Sequence, residues 1–212
     1  MGSLAQRYEA ILQELPAGVK LLAVSKGRSA AEIRALYGLG QRSFGESRVQ
    51  EAALKQQELA DLADLDWQFI GRLQANKVRP VLKAFSTIHA VDSLSLAARI
   101  SRIAGELALC PQLYLQLKLR PDANKAGLSW IEAQSLWPQL QSLPHVHWQG
   151  VMVIPPRELA EQELCALFAE AVGHADGLGL AGRSMGMSGD WPLAAQQGST
   201  VVRVGSALFG SD

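Results

Sequence analysis

VKLLAVSKGRSAAEIRALYG, residues 19–38, carries the pattern from which the fold is read. Val19 to Val24 is a short apolar run of β-prone residues. Ser29 follows after a brief polar turn, with Glu32 three positions on, the spacing of a capping box that opens a helix. A buried strand followed at once by a helix is half of a β/α unit, and the question is how often the unit repeats.

Working outward, the β-prone runs are Val19 to Val24, Arg42 to Phe44, Trp67 to Ile70, Thr87 to Val91, Leu113 to Leu117, Trp148 to Val153, Arg183 to Met187 and Thr200 to Val204. That is eight. The segments between them have helical spacing: Leu96, Ile100, Ile103 and Leu107 in one, Leu164, Leu167, Phe168, Ala171 and Val172 in another. Ser129 with Glu132 makes a second capping box, and Ser93 is placed to cap a helix after Val91–Asp92. Strands alternating with helices imply parallel pairing and right-handed crossovers. Eight units close most simply as a single (β/α)8 TIM-type barrel over residues 1–212, preceded by an N-terminal helix whose apolar face is Leu4, Tyr8, Ile11, Leu12 and Leu15. An open doubly wound sheet is the competing topology.

Composition narrows the function classes. Hydrophobic residues make up 48% and charged residues 19%, as in an ordinary globular chain. Twenty basic residues balance twenty acidic ones, which disfavours nucleic acid or an anionic membrane as partner. Cys110 and Cys165 form no C-x-x-C pair and are expected as buried thiols in a reducing compartment. The N-terminus has neither the apolar core nor the cleavage site of a signal peptide, and no apolar run is long enough to span a bilayer, so a cytoplasmic protein is expected.

In a barrel, chemistry sits at the carboxyl ends of the strands, and phosphate often binds after strands seven and eight. The residues there are Ser25–Lys26–Gly27, Gly45–Glu46–Ser47, Gly71–Arg72, Asp92–Ser93, Asp122 to Lys125, Met187–Ser188 and Gly205–Ser206. A lysine closing a strand is usually a solvated terminator. At the barrel mouth, however, partial desolvation would lower the pKa of Lys26 from the free value of about 10.4 and let the amine form an imine with an aldehyde. STVVRVGS (199–206) ends the last strand with Gly205 and the Ser206 hydroxyl, suited to a phosphate, although a plain strand-to-helix turn has the same pattern. Ser184 and Ser188 of RSMGMSGD, with Met187 between them, are expected to add hydroxyls to that anion site.

Other patterns lead elsewhere. The G-x-G-x-x-G at Gly177–Gly182 follows a helix and precedes a strand, the reverse of the dinucleotide fingerprint, and reads as a helix C-cap and loop. His145 and His147 occupy alternate positions, as on a strand, without a third metal ligand; His89 and His174 are isolated.

Taken together, LLAVSK (21–26), FGESRVQE (44–51), WQFIGRLQANKV (67–78), AVDS (90–93), NKAGL (124–128), GVMVI (150–154), SMGMSGDW (184–191) and STVVRVGSALFG (199–210) resemble the small pyridoxal-phosphate-binding, or pyridoxal phosphate homeostasis, proteins, in that family's order across nearly the whole chain. The resemblance implies a fold-type III barrel similar to the N-terminal domain of alanine racemase. It implies pyridoxal 5'-phosphate as cofactor, an internal aldimine on Lys26, and Arg203 beside the pyridine nitrogen. Ser188, Gly205 and Ser206 would contact the phosphate, and Met187 and Ser47 would lie near the ring or its hydroxyl. The family usually has Asn at 47, His at 72 and Thr at 206, which puts a direct contact from Ser47 in doubt.

A guanidinium beside the pyridine disfavours its protonation and weakens the electron sink that pyridoxal enzymes use. With no C-terminal β domain expected after Ser206 to bring a catalytic tyrosine, the expectation is a monomeric carrier or buffer of the cofactor with no catalytic residues and no metal, handing it transiently to pyridoxal-dependent apoenzymes. A racemase-like enzyme, a cofactor-free Schiff-base barrel acting on sugar phosphates, and a purely structural barrel are the rival readings.

Overall fold

Short strands rich in Val, Leu and Ile on both faces are stable only when both faces are covered, and closing a parallel sheet on itself inside a shell of helices achieves this. The computed structural model describes residues 2–122 and 125–210. Its eight strands are β1 (Lys20–Val24), β2 (Ser43–Glu46), β3 (Asp66–Phe69), β4 (Thr87–Val91), β5 (Gln112–Leu117), β6 (His147–Val153), β7 (Gly182–Ser184) and β8 (Val201–Val204). Each pairs in parallel with the next, and β8 pairs back onto β1 with Leu22 opposite Arg203. The sheet is therefore a closed barrel, and the open doubly wound alternative is excluded.

The helices among the described residues are α1 (Leu4–Glu14), α2 (Ala30–Gly38), α3 (Val49–Glu58), α4 (Val78–Ala84), α5 (Leu94–Glu106), α6 (Trp130–Gln141), α7 (Glu161–Gly177), α8 (Trp191–Gln196) and α9 (Ser206–Phe209). Both anticipated capping boxes form. Ser29 Oγ accepts from Glu32 N while Glu32 accepts from Ser29 N, and Ser129 with Glu132 does the same. Ser93 Oγ accepts from Leu96 N at the start of α5. After α7, Leu178 ends the helix and Gly179 takes φ +70°, so the glycine-rich stretch is the helix stop expected of it.

Most of the core lies between barrel and helices, where Phe44, Ile88, Ile100, Leu113, Leu115, Leu140 and Phe168 are fully buried. A second, smaller cluster of Ala90, Tyr114 and Met152 sits apart from it, on strand faces that the register turns into the lumen. Close approach of β6 and β7 makes glycine necessary nearby. Gly150 pairs with Gly182; a Cβ on Gly150 would stand 2.0 Å from the Gly182 carbonyl oxygen, and one on Gly182 would stand 3.0 Å from Tyr114 Cε1.

Several expectations need correction. Strand seven ends at Ser184 rather than Met187, because Gly186 turns the chain at φ +89°. Leu12 is 45% exposed, at the edge of the α1 face that Tyr8 and Ile11 bury. Cys110 is exposed in the loop before β5 and Cys165 is half-buried, so neither is the buried thiol expected. His147 starts β6, but His145 lies before it at φ +57° with its ring against Gly105, so the two histidines do not share a strand. Ala123 and Asn124, within the Asp122–Lys125 strand end and NKAGL, lie outside the described residues, as does Asp212. Among the described residues no helix is long and apolar enough to cross a membrane.

Gly150→Ala is expected to lower the unfolding free energy by about 1–3 kcal/mol through overpacking. Gly173→Ala, inside α7 with nothing within 4 Å of its added Cβ, is expected to raise it by about 0.5–1 kcal/mol. Denaturant titration of both variants checks the pair, and the opposite order would contradict the lumen packing described.

Candidate functional site: a cationic cavity at the barrel mouth

Lys26 sits immediately beyond β1. Arg28 N donates to Ser25 O at 2.9 Å and Gly27 has φ +74°, which makes residues 25–28 a type II turn with Lys26 at its second position and glycine where φ must be positive. The turn is open to solvent and Lys26 is exposed, so the desolvation expected of it is not present. Its side chain nevertheless lines a cavity of about 610 Å³ at the carboxyl ends of the strands, together with Met187, Ser188, Arg203, Gly205 and Ser206. Six of the seven residues singled out from sequence therefore converge.

Ser47 does not join them. It lines a neighbouring groove with Arg48, Arg72 and Lys77. Its backbone is pressed against Gly71, where an added Cβ would lie 2.4 Å from Ser47 O, and its short side chain does not reach the Lys26 cavity. Arg72 is exposed in the same groove and outside the cavity. Residues that sequence reading did not single out complete the walls: Val24, Ile70, Met152 and Ile154 are apolar, and Arg28 and Arg157 add charge. Inward-facing parity of β1 and β6 points to Val24 and Met152, but nothing local marks Arg28 or Arg157.

The cavity thus has four cationic side chains, Lys26, Arg28, Arg157 and Arg203, and no carboxylate, histidine, tyrosine or cysteine among its described lining residues. Ser188 Oγ accepts from Gly205 N at 3.0 Å and Ala207 N at 3.3 Å, tying the loop after β7 to the loop after β8. Its hydroxyl proton remains free to donate to a ligand.

Arg203 forms the floor. It is 5% exposed, and burial pushes its guanidinium down to about 10, with Asp190 and Tyr114 pulling the other way. It remains charged at neutral pH. Nη1 donates to Ser184 O and Ser184 Oγ, both at 2.6 Å, and Nη2 donates to Val153 O at 2.9 Å. Those contacts leave Nε as the nitrogen uncommitted to them. Ser184 is consequently a support for Arg203, fully buried, and not the phosphate-facing hydroxyl expected of it.

The chain of polar contacts continues across the lumen. With Ser184 Oγ accepting from Arg203, its proton goes to His89 Nδ1 at 2.8 Å, and His89 Nε2–H donates to Gln68 Oε1 at 2.7 Å. Gln68 Nε2 donates in turn to Asp66 Oδ2 at 2.5 Å. The His89 ring stacks on Tyr114 with centroids 4.5 Å apart. Burial, and then the Arg203 charge, hold this imidazole well below its ordinary value of 6.5. No spacing rule in the sequence links β3, β4, β7 and β8 this way. Among the described residues no cluster of three potential metal ligands occurs.

Fold and cavity define a (β/α)8-barrel protein built to hold a small anionic ligand at its mouth. The sequence profile described as "Alanine racemase, N-terminal domain" matches residues 1–212. A pyridoxal phosphate homeostasis protein of Synechocystis sp. is 44% identical over 209 residues, covering 96% of each chain, and one of Pseudomonas aeruginosa is 41% identical over 203 residues. The solved structure of PipY of Synechococcus elongatus with pyridoxal phosphate bound superposes with a TM-score of 0.94 at 48% identity, covering 98% of this chain and all of that one. Alanine racemase of Clostridium difficile shares the fold, with a TM-score of 0.79 at 16% identity, over 59% of its own length. The chain belongs to the alanine racemase N-terminal domain family, and within it to the pyridoxal phosphate homeostasis proteins.

The neutral His89 has a consequence for stability. Its folded value is depressed, so below about pH 6.5 the unfolded chain takes up a proton that the folded protein refuses, and stability is lost as the pH falls through that range. In thermal unfolding between about pH 7 and pH 5, wild type should lose more Tm than His89→Gln. Equal slopes would contradict a buried neutral imidazole.

Proposed function

We propose that this protein binds pyridoxal 5'-phosphate as a Schiff base on Lys26 and serves pyridoxal phosphate homeostasis as a carrier or buffer rather than as a catalyst. The observation that carries the proposal is the cavity itself: a primary amine, three further cations and two serine hydroxyls, without any acid, in a chain of zero net charge. A dianionic aldehyde is the ligand such a set suits, because the cations offset the phosphate charge and the amine takes the carbonyl carbon. The PipY structure, which holds this ligand on a 48% identical chain, supports the same assignment.

The residues divide the work by position. Ser188 and Ser206 hold the phosphate with hydroxyl and backbone donors beside Gly205, whose own N–H is held by Ser188 Oγ, and Arg28 and Arg157 add long-range attraction. Met187, Met152 and Ile154 pack the ring and exclude water from it. Arg203, anchored through Nη1 and Nη2, directs Nε–H to the pyridine nitrogen. Ser47 remains a candidate for the ring hydroxyl only through a water or a loop shift.

Bound pyridoxal phosphate supplies catalysts with an electron sink, which is strongest when the pyridine nitrogen is protonated. Arg203 opposes that proton, since a charged donor already occupies the position and two cations would repel. Catalysis would also need a second acid or base facing the ligand, and the described lining residues include no carboxylate, histidine, tyrosine or cysteine. Both features favour reversible holding, with transfer to pyridoxal-dependent apoenzymes as the outlet.

Borohydride reduction of the loaded protein followed by peptide mass mapping should place a phosphopyridoxyl group on the peptide containing Lys26. Lys26→Ala should lose the visible imine absorbance while its Tm stays within a few degrees of wild type, because the residue is exposed. An adduct elsewhere would overturn the assignment. Incubation with L-alanine in deuterated water should leave the α-proton in place, whereas rapid exchange with racemisation would replace the carrier reading by an enzymatic one.

A further inference from the structure

Behind the turn that carries Lys26 lies a buried cluster of charges with no part in the cavity. Lys55, on α3, has a side chain 8% exposed and directs its ammonium at three acceptors, each at 2.7 Å: Ser25 O, Glu46 Oε1 and Glu51 Oε1. Glu51 Oε1 also accepts from Gly27 N at 2.5 Å. Glu46 is fully buried; its Oε1 accepts further from Ser25 Oγ at 2.7 Å, while its Oε2 has no partner. Burial pushes the Glu46 carboxyl up against the pull of Lys55 and Ser25.

As a device for stability this arrangement is poor. A buried ion pair repays its desolvation only when every polar atom is satisfied, and an apolar pair of similar volume usually does as well or better. Glu46 Oε2 is left unsatisfied. What an apolar pair could not do is grip backbone. The cluster grips the two peptide groups that flank one residue: the carbonyl of Ser25, held by Lys55, and the amide of Gly27, held by Glu51. The Gly27 contact matters most, because type I and type II turns differ by a flip of the central peptide. Holding that N–H toward α3 selects the type II form, and with it the direction in which the Lys26 side chain leaves the backbone.

We propose that Glu51 and Lys55 are positioning residues for Lys26, clamping the 25–28 turn so that the amine is aimed into the cavity and an aldehyde bound there is retained. The proposal rests on Lys26 being the attachment point. The clamp touches no cavity atom and acts only through the turn. It converts the docking of α3 against the end of β1 into control over how long the ligand stays.

The test uses full-length protein loaded with pyridoxal phosphate, following loss of imine absorbance to an excess of hydroxylamine well below Tm, with Gly27 amide exchange measured on ligand-free protein. Glu51→Ala should speed both imine loss and Gly27 exchange by at least about tenfold, the factor equivalent to about 1.4 kcal/mol. Glu51→Gln, which keeps an acceptor oxygen at the same reach, should stay within about threefold of wild type. Lys55→Met alone strands the Glu46 carboxylate and is expected to fold poorly, so Glu46→Leu with Lys55→Met, which removes both buried charges, is the companion; it too should release the ligand faster. A lower Tm with wild-type imine loss in Glu51→Ala and the double variant would overturn the proposal, leaving the cluster a structural one. So would unchanged Gly27 exchange in Glu51→Ala. If wild type itself formed no imine, the binding reading would fail first, and that outcome is visible before any variant is made.

Discussion

A guanidinium inside the lumen of a parallel barrel is the constraint around which this protein is arranged. Arg203 cannot shed its proton at physiological pH, so the barrel must supply acceptors where other barrels pack aliphatic layers. Carbonyls at the ends of β6 and β7 and the Ser184 hydroxyl meet that need. The serine must then pass its own proton on, and His89 accepts it only if neutral. Gln68 and Asp66 complete the line to the opposite end of the barrel. The glycines at 150 and 182 answer a separate constraint, since an added Cβ on either would meet backbone of the neighbouring strand. A charge at the floor of the cavity thus dictates residues on five strands.

Charge is placed rather than abundant. The chain is neutral overall, yet the cavity gathers four cations and the cluster behind Lys26 sequesters two carboxylates on the far side of the turn. A local positive field of this kind recruits a small dianion without attracting polyanions, which a uniformly basic surface would do. The same separation keeps carboxylates away from the ligand, where they would act as bases. Holding the ligand without transforming it, the role proposed above, would follow from where the acids are kept.

Much of the architecture was legible because it is written locally. Eight apolar runs, two capping boxes and the Ser93 cap depend on residues within a few positions of one another; the caps form as expected and each run contributes a strand, with ends shifted by a few residues. Barrel closure then carries six of the seven selected residues to one mouth, since strand ends are the only places from which they project. The failures have a different origin. The end of β7 was misjudged because Gly186 breaks the strand inside a still-apolar stretch. The exposure of Cys110 and Lys26, and the absence of Ser47 from the cavity, depend on loops whose paths no local pattern specifies. Ser184 was assigned to the wrong partner because its hydroxyl faces the lumen, one residue before the chain leaves the sheet.

By itself the sequence determined the number of β/α units, the starts of helices, and the small set of polar residues at strand ends, because periodicity and capping are short-range. Tertiary structure alone decided which of those residues meet, the relay from Arg203 to Asp66, and the grip of Glu51 and Lys55 on the peptides beside Lys26. Those relations join residues on elements far apart along the chain. They exist only once the barrel has closed, when partners such as β4 and β7 face each other across a lumen narrow enough for side chains to span.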